Sequence, residues 1–388
     1  MNSAPTPTAI STIDAESALT ARGVVAIDLR SPSEFQEDHL PGALNLPLFD
    51  DAERALIGTL YHRASPQEAF DAARSAARQR IETLVAHVGL ACGWSPPPID
   101  LTATLDEMTR GGMTEMETLL VDEPARELPE RPVVLYCWRG GLRSKSVVAL
   151  LRRIGLTRAL LVRGGYKSYR KCVIERIETW RAPRSFVLRG LTGVGKTLVL
   201  RELERIRPRL TIDLEGLAQH RSSILGRVGL EPVSQKAFES RLAARLVEGC
   251  GAAVVFEGES RKVGDAIIPE NVWKALDCGV SLELVAPLER RVSVLLDDYL
   301  AHPSSRLQLA PQLGFIEQRL GKHEWTGVLV DLLRAGREAE LARILLEQYY
   351  DPLYRHSEKG RSYVTRFDAS DPARCAAVIA TSIDAHTA

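Results

Sequence analysis

No run of about 18 uncharged apolar residues occurs in the 388-residue chain, so nothing in it reads as a membrane-spanning helix. The opening Met1-Asn2-Ser3-Ala4 lacks the basic segment and following apolar stretch of a secretory leader. The expectation is a cytoplasmic protein with no membrane partner. Cysteine is sparse and scattered: Cys92, Cys137, Cys172, Cys250, Cys278 and Cys375 stand singly, with no C-x-x-C pair. That excludes a zinc cluster or a disulfide framework and leaves any cysteine chemistry to one reactive thiol. Internal repeats are absent. Net charge is absent too, with 50 basic against 50 acidic residues, and 26% charged and 45% apolar residues make an ordinary globular composition. At about 150 residues per domain the length predicts two or three domains, with two as the working expectation.

Neutrality hides an uneven distribution. From Arg139 to Arg184 there are thirteen Arg or Lys against Glu175 and Glu178, a local net of +11. Such a stretch can hold a polyanion, because phosphate contacts depend on the local field. The competing reading is a solvated helix face whose partners lie elsewhere in the chain.

The apolar run Val24–Leu29 predicts a buried strand ending at the breaker Ser31-Pro32. Residues 50–90 are Ala-rich with helical spacing, Ser95-Pro96-Pro97-Pro98 breaks the pattern, and residues 101–127 predict further short helices. Strands are expected at 132–136 and 159–162, with a helix at 145–154 between them, then a basic helix and hinge over 166–183. A second series of strands is expected at 185–189, 210–213, 253–257 and 281–285, followed by a mostly helical stretch at 289–346 and a short strand within 362–367. Strands alternating with helices imply parallel sheets and an α/β fold class.

Two segments carry chemistry. Gly190-Leu191-Thr192-Gly193-Val194-Gly195-Lys196-Thr197 fits G-x-x-x-x-G-K-[ST] between a strand and a helix. Gly190, Gly193 and Gly195 let backbone N–H groups curl around phosphate oxygens, the helix N-terminus adds partial positive charge, Lys196 reaches terminal oxygens and Thr197 would hold Mg²⁺. Asp213, Glu215, Glu257 and Glu259 follow strand ends and serve either the metal or substrate or, alternatively, helix caps and surface turns. His220 and Arg221 are either phosphate contacts or a solvated pair. Tyr349, Tyr350 and Tyr354 either pack a C-terminal helix or stack on bases. No guanine-recognition signature accompanies the cradle, and the motif promises a bound di- or triphosphate rather than hydrolysis.

The second segment is Cys137-Trp138-Arg139-Gly140-Gly141-Leu142-Arg143-Ser144, a loop between an apolar strand and a helix. Its amides form an anion nest. Together with Arg139 and Arg143 they would stabilise a Cys137 thiolate, against the usual fate of a lone cysteine as a buried inert thiol.

Asp28-Leu29-Arg30-Ser31-Pro32-Ser33-Glu34-Phe35, with His39-Leu40-Pro41-Gly42-Ala43, resembles the opening of a rhodanese domain, and Cys137 falls where that domain's chalcogen-carrying cysteine would be. Cys137 to Arg143 is Cys-x5-Arg, one residue longer than the usual sulfurtransferase loop and similar to the loop of rhodanese-like phosphatases, a width that suits a phosphate-bearing donor. A rhodanese domain followed by a P-loop domain resembles the tRNA 2-selenouridine synthase family. The stretches Gly164-Gly165-Tyr166-Lys167, Asp213-Leu214-Glu215-Gly216-Leu217-Ala218, Glu257-Gly258-Glu259-Ser260-Arg261 and Tyr349-Tyr350-Asp351-Pro352-Leu353-Tyr354 share that resemblance. The architecture it implies is a rhodanese-like parallel-sheet domain over residues 10–165, a basic helical linker over 166–184, and a P-loop NTPase-like α/β domain with a helical C-terminal part over 185–388.

The resemblance further implies a transferase that converts wobble 2-thiouridine of tRNA, of the Lys, Glu and Gln class, to 2-selenouridine by way of S-geranyl-2-thiouridine. Its substrates would be geranyl diphosphate, held with Mg²⁺ by Gly190, Gly193, Gly195, Lys196, Thr197, Asp213 and Glu257, and selenophosphate, with Cys137 as selenium carrier flanked by Arg139 and Arg143. An enzyme supplying selenophosphate would be a partner. The rival expectations are a nucleotide-dependent sulfurtransferase or small-molecule kinase that does not act on RNA, and a non-catalytic scaffold with a rhodanese-like binding module.

Overall fold

The computed structural model describes residues 8–302, 304–321, 323–357 and 360–387. Residues 1–7, on which the leader argument partly rests, lie outside them. The chain divides into two compact units, the first running through Arg176 and the second beginning at Ile177. The division falls inside the stretch expected as a linker. That stretch folds as the helix Gly165–Thr179, whose Tyr166, Tyr169 and Val173 are buried.

The first unit is built on six strands: β1 (Thr8–Ile13), β2 (Val25–Asp28), β3 (Leu44–Asn45), β4 (Leu120–Pro124), β5 (Val133–Tyr136) and β6 (Ala159–Val162). They form one sheet in the order β3-β2-β5-β6-β1-β4, and every pairing is parallel. β5 and β6 are buried at every residue, as the central strands of a parallel sheet covered on both faces must be. β4 corrects the expectation of helices alone over 101–127: helices Leu101–Thr109 and Gly112–Leu119 form, but Leu120–Pro124 pairs with β1 at the sheet edge. Only Leu120 of β4 is buried, so no apolar alternation marks it. Helix Pro66–Cys92 starts at a Ser65 cap and stops at Gly93 in the left-handed region. Its Ile81, Leu84, Val85 and Val88 lie on one stripe, as 3.6-residue periodicity dictates, and pack with Ile27, Leu29, Val133 and Leu135 of the sheet region.

The second unit contains β7 (Arg184–Arg189), β8 (Thr211–Ile212), β9 (Ala253–Glu257), β10 (Lys262–Val263), β11 (Ala266–Ile267), β12 (Val280–Val285) and β13 (Thr365–Asp368). Five of these form a parallel sheet in the order β13-β12-β7-β9-β8, and β10-β11 is a separate antiparallel hairpin. Helices Lys196–Ile206 and Pro372–Thr387 pack together, and Leu200, Leu203, Ile379 and Ile383 join the core formed with Phe186, Leu188, Val255 and Leu284. The helical region expected from residue 289 consists of Leu288–Tyr299, Ser305–Leu320, Val328–Arg334 and Glu338–Ile344, closed by a π-helical turn at Leu345–Tyr350. No described helix is long and apolar enough to cross a membrane.

Candidate functional sites

Cys137 follows β5 directly, and helix Leu142–Arg153 starts five residues later. Its Sγ lies 3.1 Å from the hydroxyl oxygen of Ser144, a fully buried residue in the first turn of that helix. The thiol therefore sits at the positive end of a helix dipole with a hydroxyl beside it. Cys137 is itself buried, 3% exposed. Arg139 is exposed, and the Arg143 guanidinium lies 5.9 Å from the centre of the Phe49 ring. All six cysteines are free.

The Gly164-Gly165-Tyr166-Lys167 stretch braces this loop. The N–H of Tyr166 donates to the Cys137 carbonyl at 2.9 Å, and that of Lys167 donates to the Trp138 carbonyl at 2.9 Å. The first amides of a helix lack intrahelical partners, and here loop carbonyls supply them. Gly165 has φ +58°, and a Cβ on it would lie 2.3 Å from the Cys137 carbonyl oxygen, so no larger residue fits between helix and loop.

A buried polar knot joins Asp28, Arg30 and Asp38 to that brace. The Arg30 guanidinium, 1% exposed, pairs with Asp28 at 2.6 Å, donates to the Asp38 carbonyl at 2.6 Å, and lies 3.7 Å from the centre of the Tyr166 ring. The Tyr166 hydroxyl donates to the Asp38 carboxylate at 2.8 Å. Burial works against the Arg30 charge, but bonding to Asp28 outweighs it and holds the pKa above the ordinary arginine value.

In the second unit Gly190–Gly195 curl between β7 and helix Lys196–Ile206. Gly190 has φ +148°, and a Cβ there would meet the Leu284 carbonyl oxygen at 2.4 Å, so the chain can leave β7 only through glycine. Lys196 Nζ donates to the Gly190 carbonyl at 3.1 Å and lies 5.3 Å from the centre of the Tyr354 ring. The Thr197 hydroxyl donates to Glu257 at 3.0 Å. Glu257 is fully buried and also accepts the Glu215 N–H at 3.3 Å.

The carboxylates of Glu215, Glu257 and Glu259 offer oxygens within 4.8 Å of one another. Burial first, and then mutual repulsion, raises all three pKa values, to about 7 at Glu259, about 9 at Glu215 and well above the ordinary range at Glu257. Burial opposes the Lys196 ammonium as well, but Tyr354 and the three glutamates more than compensate and keep it protonated. One buried and two half-buried carboxylates beside a hydroxyl form the oxygen-rich donor set of a hard divalent cation.

Asp213 stands beside this group as the cap of helix Leu214–Ala218, its carboxylate accepting the Gly216 N–H at 2.6 Å. The Arg221 guanidinium pairs with Asp298 at 2.6 Å, and the His220 ring fills the space where Cβ atoms on Gly226 and Gly264 would lie. Tyr349 and Tyr350 are buried in the helical core. Two features lie beyond the motif residues: Ser144 as the neighbour of Cys137, and the equal standing of Glu215 and Glu259 with Glu257. The spacing Glu257-x-Glu259 at a strand end was the available signal for the latter, since alternate residues of an extended chain share a face.

These features define a class: a P-loop phosphate-binding α/β enzyme with a separate cysteine-loop α/β unit ahead of the P-loop. The model of the tRNA 2-selenouridine synthase AAA domain matches residues 183–384. The tRNA 2-selenouridine synthase of Chromohalobacter salexigens is 32% identical over 362 residues, covering 87% of this chain and 89% of the relative. That of Cupriavidus pinatubonensis is 31% identical over 370 residues, covering 88% and 90%, and that of Pseudomonas fluorescens is 32% identical over 366, covering 86% and 89%. The chain belongs to the tRNA 2-selenouridine synthase family.

Proposed function

We propose that the protein is a tRNA-modifying transferase that replaces the sulfur of wobble 2-thiouridine by selenium, in two steps divided between its two sites. The observation that carries this reading is the joint presence, in a member of this family, of a glycine-rich cradle lined by carboxylates and a thiol at a helix N-terminus beside the Ser144 hydroxyl. In the first step the thiocarbonyl sulfur attacks C1 of geranyl diphosphate, the C–O bond breaks and diphosphate leaves. Lys196 and the amides of Gly190–Gly195 stabilise the departing charge. Glu215, Glu257, Glu259 and Thr197 would hold Mg²⁺, which supplies further charge neutralisation when bound. In the second step the Cys137 thiolate attacks the phosphorus of selenophosphate, the P–Se bond breaks and hydroselenide is freed; the hydroselenide bonds to C2 as the geranyl thiol leaves, and water hydrolyses the phosphocysteine to return the thiol and release phosphate. Alkylation has by then turned a poor sulfur leaving group into a good one.

The polyanion would be held by a subset of the basic stretch. Within the first unit Lys145 pairs with Asp122 at 2.7 Å, Arg153 with Glu107 at 2.6 Å and Arg170 with Asp38 at 3.6 Å, and Arg152 donates to the Ala159 carbonyl at 3.1 Å. Arg139 on the cysteine loop, Arg163 in the turn after β6, and Lys167 and Lys171 on the bracing helix are exposed, and we assign them to the tRNA backbone. Mass analysis of wobble nucleosides after incubating 2-thiouridine tRNA of the Lys, Glu or Gln class with the protein, geranyl diphosphate and selenophosphate tests the reading. Selenouridine is expected. Phosphate release from ATP with unaltered nucleosides would instead favour a kinase.

A further inference from the structure

Outside the G-x-x-x-x-G-K-T motif, one buried side chain grips the cradle's backbone. Arg291, on helix Leu288–Tyr299, is 5% exposed. Its Nε donates to the Thr192 carbonyl at 2.9 Å, and its two terminal nitrogens form a bidentate pair with Asp351, at 3.0 Å and 2.5 Å. Asp351 follows the π-helical turn Leu345–Tyr350, three residues ahead of the Tyr354 ring that faces Lys196. Gly193 packs so closely on Arg291 that a Cβ would lie 2.8 Å from the arginine's carbonyl oxygen.

In a trans peptide the C=O of one residue and the N–H of the next point in opposite directions. Fixing the Thr192 carbonyl on Arg291 therefore turns the Gly193 N–H the other way. A carbonyl rotated toward the ligand in its place would repel phosphate oxygens. An arginine fork held by a carboxylate has little freedom to let the carbonyl go.

We propose that Arg291 and Asp351 are positioning residues of the phosphate cradle: Arg291 orients the Thr192–Gly193 peptide for a diphosphate, and Asp351 makes that orientation depend on the π-helical turn. The proposal rests on reading the cradle as a diphosphate site. It accounts for Asp351 within Tyr349-Tyr350-Asp351-Pro352-Leu353-Tyr354 and joins the helical region to the chemistry.

Hydrogen exchange and calorimetry on the full-length protein, with Mg²⁺ and inorganic pyrophosphate as the probe, test it. Asp351→Asn and Arg291→Lys should speed exchange of the residue 190–195 amides by about ten-fold while β7 and β9 stay protected, and should weaken pyrophosphate binding by about ten-fold. A merely structural pair would loosen β7 and β9 together with the cradle. In the unaltered protein pyrophosphate should slow exchange at residues 345–354 as well as at 190–195, which tests the link even where a variant does not fold. Unchanged cradle exchange in a folded variant, or ligand protection that stops at residue 195, would overturn the proposal. An unaltered protein that does not bind pyrophosphate would sink the diphosphate reading instead, and the exchange rates of the variants would still decide the role of Arg291.

Discussion

Position 137 illustrates how little of a residue's chemistry lies in its own side chain. The thiol is buried, and its neighbours are the Ser144 hydroxyl and the first turn of a helix. Lys196 is the corresponding case in the other unit, a half-buried ammonium whose pKa Tyr354 and three glutamates raise against the cost of desolvation. Lys196→Ala should lower geranyl transfer to tRNA by about 10²–10³-fold, measured by the yield of geranylated nucleoside. An unchanged yield would remove the cradle from that step. Asp28 answers for structure alone. Asp28→Ala leaves the buried Arg30 guanidinium without its carboxylate, and chemical denaturation should show a loss of about 3–5 kcal/mol.

Among elements, the junction between the cysteine loop and helix Gly165–Thr179 is the tightest contact of the first site. Gly165→Ala puts a Cβ 2.3 Å from the Cys137 carbonyl at a positive φ. The variant should lose about 1–3 kcal/mol by denaturation, together with selenation, and retain geranylation. The short helix after β8 and the segment after β9 set the second site's response to pH. Glu259 and Glu215 have raised pKa values, about 7 and about 9, so their contribution to stability is fully present below the unfolded value near 4.5 and is lost as pH rises through 7 and 9. Mg²⁺ binds the ionised carboxylates and should reverse that loss. The increase in melting temperature on adding Mg²⁺ should grow from pH 6 to pH 8.5, and an increase independent of pH would count against a cation at these residues.

The same elements mark the limit of what the sequence could reveal. β5, β6 and β9 were legible because central strands of parallel sheets are continuous apolar runs, β7 through its short run Phe186–Leu188 and β12 through the alternation Leu282-Glu283-Leu284. β3 has two residues and β4 one buried side chain, so both exist through their neighbours rather than through a pattern of their own. Gly190–Thr197 and Cys137–Arg143 were legible because their spacing is local. The packing of Gly165 on the Cys137 carbonyl and the hold of Arg291 on Thr192 join distant segments, and no local period announces them.

For the whole molecule, zero net charge coexists with a basic stretch, and intramolecular pairing divides that stretch between scaffold and free surface. Replacing Lys167 and Lys171 together by Glu should weaken tRNA binding across sequences and lower the slope of log affinity against log salt by about 1 for each tRNA phosphate left unneutralised. Reversal of Arg153, already paired with Glu107 at 2.6 Å, should change that slope less. Equal slopes for the two changes would place the tRNA elsewhere.

The division of labour between the two units is tested most directly by the wobble nucleosides of 2-thiouridine tRNA incubated with Cys137→Ser protein, geranyl diphosphate and selenophosphate. The account predicts that S-geranyl-2-thiouridine accumulates and 2-selenouridine does not appear. Full conversion to 2-selenouridine by that variant would contradict it.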